Sequence, residues 1–328
     1  MIAVTGANGL LGSFIIRKLI QEGKSFAAIK RDGSDTSLLD DVADKIQWRT
    51  ADVLNPLTLN DALEGCTQVI HSAAMVSFNP RRANEVLQIN AIGTRNIVNA
   101  CFSQNIKRLV HISSVAALGR QKEQQLIRED NKWIENPMNS VYANSKYKAE
   151  LEVFRGQEEG LKTVILNPSV ILAPADWNKS SAKLFRYAWN QRPFYIDAFL
   201  NYVDVRDVAS CAYQLLESNF EAERFIVNAG NISFKNFFEK TANKFGVRPP
   251  SLKLSKNIVN AAARAERLRT WFTQDEPLIT RETAQLVGTQ FLYDNKKIKN
   301  NLNFEFQTLD NTLEWCCGYY IKKFSSKK

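Results

Sequence analysis

Tyr142 and Lys146 lie four residues apart in Ser140-Val141-Tyr142-Ala143-Asn144-Ser145-Lys146-Tyr147-Lys148-Ala149-Glu150, a stretch that reads as a helix running to Phe154. That spacing puts both side chains on one helix face. A tyrosine hydroxyl titrates near pH ~10, too high for a general base at neutral pH. An ammonium beside it favours the phenolate and lowers that value. Ser114 closes an apolar strand, Arg108 to Ser114, and its hydroxyl can hydrogen-bond a carbonyl or an alcohol. Taken alone, a Tyr-x-x-x-Lys pair is as well explained by an ordinary surface helix. It becomes a proton-transfer site if the rest of the chain brings a redox carrier to the same place.

The first stretch of the chain offers a seat for such a carrier. Val4-Thr5-Gly6-Ala7-Asn8-Gly9-Leu10-Leu11-Gly12 follows a short buried strand, Met1 to Val4, and precedes a helix with Phe14, Ile15, Ile16, Leu19 and Ile20 on its apolar face. Gly6, Gly9 and Gly12 therefore sit at a strand-to-helix turn. Glycines there allow a tight turn, a close backbone approach to a pyrophosphate, and close packing of helix on strand, while the helix N-terminus faces the phosphate charge. Asn8, Leu10 and Leu11 share the turn and are expected at the cofactor with the glycines. A nicotinamide dinucleotide suits this geometry. Its oxidised ring would add a second positive charge beside Tyr142, and Lys146 could hold its ribose hydroxyls.

The second strand, Ser25 to Lys30, carries the selector of the cofactor. An acid about 20 residues past the glycines binds a free ribose 2′-hydroxyl, whereas an arginine accommodates a 2′-phosphate. The tip reads Ile29-Lys30-Arg31-Asp32-Gly33-Ser34, with Arg31 in the selecting place, so NADP(H) is expected. NAD is the alternative, because a shift of one residue returns the acid, Asp32. A third strand, Ile46 to Arg49, leads to Asp52 and Val53, expected at the adenine; Asp52 reads alternatively as the cap of a helix beginning near Leu57. The fourth strand runs through Val69-Ile70-His71-Ser72-Ala73-Ala74, and the small Ala73 and Ala74 let the backbone approach a ligand. His71 reads as a packed strand-end residue rather than a catalyst. Asn90, in a long helix from Ala83 to Cys101, and Pro168, Ser169 and Val170, past a sixth strand Thr163 to Leu166, complete the residues expected against the cofactor.

Strand and helix alternate along the chain, which argues for an α/β fold: a Rossmann-type, doubly wound parallel sheet with a smaller, mostly helical C-terminal substrate lobe. The expected division gives residues 1–167 to the dinucleotide-binding domain, with returning segments at about 201–229 and 288–300. Residues 168–200, 230–287 and 301–328 form the lobe. The 328 residues are 45% apolar, enough for a large core, and the net charge is +9 with pI ≈ 9.2. Lysine and arginine are spread along the chain apart from the tail Lys322, Lys323, Lys327 and Lys328, so the charge reads as handling of small anions rather than of nucleic acid. No run approaches the ~18–20 apolar residues of a membrane span. The phosphate turn begins by residue 6, so no secretory leader is expected. Five cysteines without C-x-x-C spacing and only two histidines point to free thiols in a reducing cytoplasm and to no zinc site.

As a set these motifs resemble the extended short-chain dehydrogenases/reductases of the NAD(P)-dependent epimerase/dehydratase superfamily. The resemblance covers most of the chain. It rests on Thr5-Gly6-x-x-Gly9-x-x-Gly12, Asp52-Val53, His71-x-Ala73-Ala74, Asn90-x-x-Gly93-Thr94-x-Asn96, Ser113-Ser114, Tyr142-x-x-Ser145-Lys146, Asn167-Pro168 and Val203-Asp204-x-x-Asp207-Val208-Ala209. It implies a catalytic set of Ser114, Tyr142 and Lys146. Ser114 is favoured over Ser113 because the family's serine lies five residues before a glycine, here Gly119. Many sugar-nucleotide epimerases carry Arg-Pro after the sixth strand and an acid after the second. Asn167-Pro168 and Arg31 are instead similar to the dihydroflavonol-reductase and 3β-hydroxysteroid-dehydrogenase branch. That implies NADPH-dependent reduction of an aldehyde or ketone, or the reverse oxidation of an alcohol. A nucleotide-sugar epimerase or dehydratase holding NAD is the alternative enzyme, and a non-catalytic, redox-sensing dinucleotide binder a further one.

Family members build the substrate side of the cleft from the region after the sixth strand. Here it holds Trp177, Phe185, Tyr187, Trp189, Phe194, Tyr195 and Phe199, which would suit an apolar or ring-bearing carbonyl compound or simply form the core of the lobe. Arg264, Arg267 and Arg269, on a helix from Lys256 to Trp271, would either meet a diphosphate or lie on a solvated face. In relatives the Tyr142 helix and the Ala83–Cys101 helix form a four-helix interface, which makes a homodimer an expectation of the resemblance.

Overall fold

A computed structural model describes residues 1–119, 126–135, 139–177, 180–273, 287–288 and 290–325. The first half runs β1 (Ile2–Thr5), α1 (Leu10–Gln21), β2 (Phe26–Lys30), β3 (Trp48–Thr50), α2 (Pro56–Leu63), β4 (Gln68–His71), α3 (Ala83–Leu87), α4 (Gly93–Ser103), β5 (Arg108–Ile112), β6 (Leu126–Ile127) and α5 (Val141–Glu158). The second half runs β7 (Lys162–Pro168), β8 (Val170–Leu172), α6 (Ala182–Trp189), β9 (Phe194–Ile196), β10 (Phe199–Asp204), α7 (Val205–Glu217), β11 (Glu223–Val227), β12 (Gly230–Ser233), α8 (Phe234–Phe245), β13 (Leu252–Leu254), α9 (Lys256–Thr273) and β14 (Leu292–Tyr293). Helices Lys296–Leu302 and Leu309–Ser325 follow.

Seven strands form one parallel sheet in the order β11-β7-β5-β4-β1-β2-β3. The chain winds outward from β1 through β2 and β3, then returns to continue on β1's other side with β4. The strand order reverses at that point, and in open α/β sheets ligands bind outside the carboxyl ends of the strands there. Both faces of the sheet are covered, which explains the near-continuous apolar runs. Ile2 and Val4 point into the core shared with Ile15, Ile16 and Leu19 of α1 and Val208 and Leu215 of α7. Ala3, between them, points into the opposite core with Leu59 of α2 and Ile97, Val98 and Cys101 of α4. The five cysteines are buried free thiols.

Two features depart from the sequence reading. The long helix expected from Ala83 to Cys101 is interrupted by a π turn at Gln88–Ile92, which carries Asn90. The second is a feature the sequence reading did not include: β8, β10 and β12 form a three-stranded sheet of their own. Its strands are too short, at three to six residues, for an alternating pattern to stand out in the sequence.

The aromatic residues after β7 largely form a buried cluster. Phe185 is fully buried, with its ring 5.5 Å from Tyr320 and 6.1 Å from Phe237. Trp177 stacks on Phe324 at 3.6 Å, Trp189 meets Phe245 edge-on at 5.1 Å, and Tyr187 lies 5.1 Å from Phe238. Tyr195 packs against the same cluster, whereas Phe194 is exposed.

Candidate active site

The glycine turn is closed so tightly that side chains are excluded. Gly6 has φ +66°, and a Cβ there would lie 2.7 Å from the Ala73 Cα. A Cβ on Gly12 would lie 2.0 Å from the Gly6 carbonyl oxygen. Gly9 caps α1 with extended backbone, and no side chain caps the helix and no acid occupies its first turn. The leading N–H groups of α1, beginning at Leu10 and Leu11, therefore remain available to an anion. Asn8 Nδ2 donates to the Asp35 carbonyl at 3.0 Å and ties the turn to the segment after β2.

Beyond β2 and β3, Arg31, Asp32, Gly33, Ser34, Thr50, Ala51, Asp52 and Thr58 line an open groove of about 570 Å³. Arg31 and Asp32 are both exposed at its rim. Asp52 does not cap α2. Asn55 does, accepting from the Leu57 and Thr58 amides, while Asp52 accepts from the Leu54 amide at 2.9 Å within its own turn. Val53 is fixed by a helix that approaches it closely: a Cβ on Gly93 would lie 2.8 Å from Val53 Cγ2, and Asn96 Nδ2 donates to the Val53 carbonyl at 3.0 Å.

Past β4, Ala73 and Ala74 border the glycine turn, and the Ala73 amide donates to Thr5 Oγ1 at 3.3 Å. Asn90 is buried on the π turn between α3 and α4. Its amide grips the main chain of Met75 from both sides, accepting from the nitrogen at 2.7 Å and donating to the carbonyl at 2.9 Å. The same Nδ2 donates to Ser145 Oγ at 2.9 Å. His71 is buried, as the sequence suggested for a packed strand-end residue.

Ser114, Tyr142 and Lys146 converge at the carboxyl end of β5. The Ser114 side chain lies close enough to the Tyr142 hydroxyl to favour its ionised form. Ser114 Oγ accepts from the Ala116 amide at 3.1 Å, which leaves its own proton to donate. Ser113 points the other way: its hydroxyl is buried with no partner among the described residues. Lys146, 2% exposed, donates from Nζ to the Ile112 carbonyl at 2.7 Å. Burial pulls the lysine down to about 8, opposed by the Glu150 carboxylate. Burial pushes the Tyr142 hydroxyl above its ordinary range, and the neighbouring Ser114 side chain opposes it.

A buried polar cluster that the sequence reading missed holds these residues from behind. Asn167 Nδ2 donates to the Ser114 carbonyl at 2.9 Å and to Glu150 Oε1 at 2.6 Å. Arg224 donates to the other oxygen of Glu150 at 3.2 Å and to the Glu129 carbonyl. Glu150 and Asn167 are both fully buried. The available signal was an acid on the inward face of α5, one helical turn past Lys146.

Pro168 ends β7, and the Ser169 amide donates to the Val227 carbonyl at 3.0 Å. The Ser169 hydroxyl is buried without a partner among the described residues, and Val170 is exposed. The aromatic ring beside Tyr142 comes from the segment after β4: Phe78 is exposed, with its centroid 5.8 Å from that of Tyr142. On α9, Arg264 is exposed and Arg269 donates to Glu266 at 3.0 Å; the Arg267 side chain lies outside the described residues. Among the described residues no cluster of three His, Cys, Asp or Glu could hold a metal, and no helix is long and apolar enough to cross a membrane. A turn that one Cβ would fill, an uncapped helix N-terminus and unpartnered hydroxyls at strand ends suit an extended, phosphate-bearing ligand lying across the sheet edge.

The family model described as NAD dependent epimerase/dehydratase family matches residues 2–230. A protein of Synechocystis sp. whose name is that of a dihydroflavonol 4-reductase is 30% identical, over 97% of this chain and 95% of its own. Cinnamoyl-CoA reductase 1 of Petunia hybrida is 25% identical, over 69% of this chain and 72% of its own. The crystal structure of gox2253 superposes with a TM-score of 0.85 at 27% identity, covering 99% of this chain and 98% of its own.

Proposed function

The chain belongs to the NAD dependent epimerase/dehydratase family and is an NAD(P)-dependent oxidoreductase; from that premise we propose that it reduces an aldehyde or ketone with NADPH, reversibly, at Ser114, Tyr142 and Lys146. The observation that carries this reading is the convergence of Ser114, Tyr142 and the buried Lys146, whose Nζ donates to the Ile112 carbonyl, at the end of β5. Similarity to reductases supports it, as does Arg31 at the rim of the groove.

When bound, the nicotinamide supplies the hydride that attacks the carbonyl carbon. The protein's residues handle the oxygen and the proton. Ser114 and Tyr142 would hold the substrate oxygen between their hydroxyls. As negative charge develops on that oxygen, Tyr142 gives it a proton and the alcohol forms. Ser114, donating its proton to the same oxygen, stabilises the charge that develops there. Lys146, one helical turn from Tyr142, would hold the ribose hydroxyls, and its positive charge favours the phenolate form. The glycine turn and the N-terminus of α1 would seat the pyrophosphate, with Asp52 and Val53 at the adenine and Pro168, Ser169 and Val170 at the far end.

Titration with NADPH and NADH, for the native chain and Arg31→Ala, tests the cofactor choice. NADPH is expected to bind at least about tenfold tighter than NADH, with the gap closed in the variant. A carbonyl panel then follows NADPH consumption. Tightly held NAD that co-purifies, with no net NADPH consumption, would instead favour a nucleotide-sugar epimerase with Asp32 as selector.

A further inference from the structure

A hydrogen-bond chain of fixed direction runs from the glycine turn to the Tyr142 helix, and His71 stands at its middle. Thr5, His71, Asn90 and Thr94 are each 1% exposed and Ser145 is fully buried, so each donor needs an acceptor within the protein. The Thr94 hydroxyl lies 2.6 Å from the Asn90 carbonyl, which can only accept, so the threonine proton goes there. His71 Nε2 lies 3.1 Å from that threonine oxygen and must therefore donate to it. A neutral ring protonated at Nε2 has a bare Nδ1, which accepts from the Thr5 hydroxyl at 2.7 Å. The Thr5 oxygen accepts in turn from the Ala73 amide. At the other end, Asn90 donates to Ser145 at 2.9 Å, and the Ser145 hydroxyl donates to the main-chain carbonyl of Tyr142 at 2.7 Å.

We propose that His71, held as the neutral Nε2–H tautomer, is a positioning residue that couples the turn seating the dinucleotide to the helix carrying Tyr142. It touches neither cofactor nor substrate. It keeps the two halves of the site in register through Thr94, Asn90 and Ser145. The titratable groups facing it are Lys146 on α5 and the His111 ring on β5, whose centroid is 5.3 Å away. Burial, reinforced by the Lys146 charge, lowers His71 to about 3, so the ring stays neutral through the physiological range.

The chain has only two histidines, which makes nitrogen-15 NMR of the imidazoles a direct readout. His71, assigned by the shift that Thr94→Val causes at its Nε2, is expected to show protonated Nε2 and bare Nδ1, unchanged from pH 8 to pH 5. A proton on Nδ1, or titration near the ordinary value of 6.5, would overturn the proposal. The kinetic arm rests on the reductase reading. Thr94→Val is expected to lose about tenfold in kcat while binding NADPH within about twofold of the native chain, and Thr94→Ser to recover kcat. Unchanged kcat in Thr94→Val, or Thr94→Ser as slow as the valine variant, would contradict it. Absence of turnover in the native chain on any carbonyl would defeat the reductase reading alone, and the spectra would still decide the role of His71.

Discussion

Asn167 Nδ2 donates to Glu150 Oε1 at 2.6 Å, joining the end of β7 to the inward face of α5. The same nitrogen holds the main-chain carbonyl of Ser114. One amide therefore fixes the serine's loop against the helix that presents Tyr142 and Lys146. Glu150 keeps a second partner in Arg224, so its charge is not left alone when the amide is removed.

Asn167→Leu should leave one Glu150 oxygen and the Ser114 carbonyl without this buried donor. Unfolding free energy is expected to fall by about 1–3 kcal/mol in urea titrations, and kcat to fall with it. Asn167→Leu with native stability and native kcat would show that the bridge does not hold the site.

Lys146 gives the pH dependence of stability a definite sign. Its value falls from the ordinary 10.5 to about 8 in the folded chain. Below pH 8 it is protonated in both states, and the cost of burying the charge is fully present. Between about 8 and 10.5 the unfolded chain binds the extra proton, so this group's contribution makes the fold more stable as pH rises. The difference in urea midpoint between the native chain and Lys146→Met should therefore shift in favour of the native chain across that window. A difference independent of pH would contradict it.

Gly12→Ala would force a Cβ to within 2.0 Å of the Gly6 carbonyl oxygen, which is main chain and cannot swing away. The turn must open, with a stability cost of about 1–3 kcal/mol. NADPH affinity is expected to fall at least about tenfold, because the pyrophosphate seat is displaced. Gly23→Ala is the control for stability without binding: that glycine has φ +62° but open space around its Cβ. Equal NADPH affinity in both variants would mean that the turn is not the seat.

Local spacing made much of the site legible. Gly6, Gly9 and Gly12 declared their turn because strand, turn and helix are consecutive, and Tyr142 and Lys146 because i and i+4 share a face. A serine was expected after the buried strand, and the resemblance, through Gly119, chose Ser114 over Ser113. The cluster of Asn167, Glu150 and Arg224 was hidden because its members come from three elements, and no one-dimensional pattern places β7, α5 and β11 side by side. The π turn at Asn90 was hidden likewise. Its residues have ordinary helical character, and the extra residue per turn shows only once Asn90 is seen gripping Met75. Phe185 and Trp189 were ambiguous because an aromatic run serves a lobe core and a substrate wall equally well. Packing against Phe237, Phe245 and Tyr320 placed them in the core.

The most direct test of the reductase reading is NADPH consumption by Tyr142→Phe beside the native chain, on a carbonyl substrate that the native chain turns over. The ring keeps its packing against Phe78 and loses only the hydroxyl that Ser114 meets. Turnover should fall by about two to four orders of magnitude while NADPH affinity stays within about twofold. Turnover within about twofold of the native rate would contradict proton transfer by Tyr142, and with it the role proposed for Ser114 and Lys146.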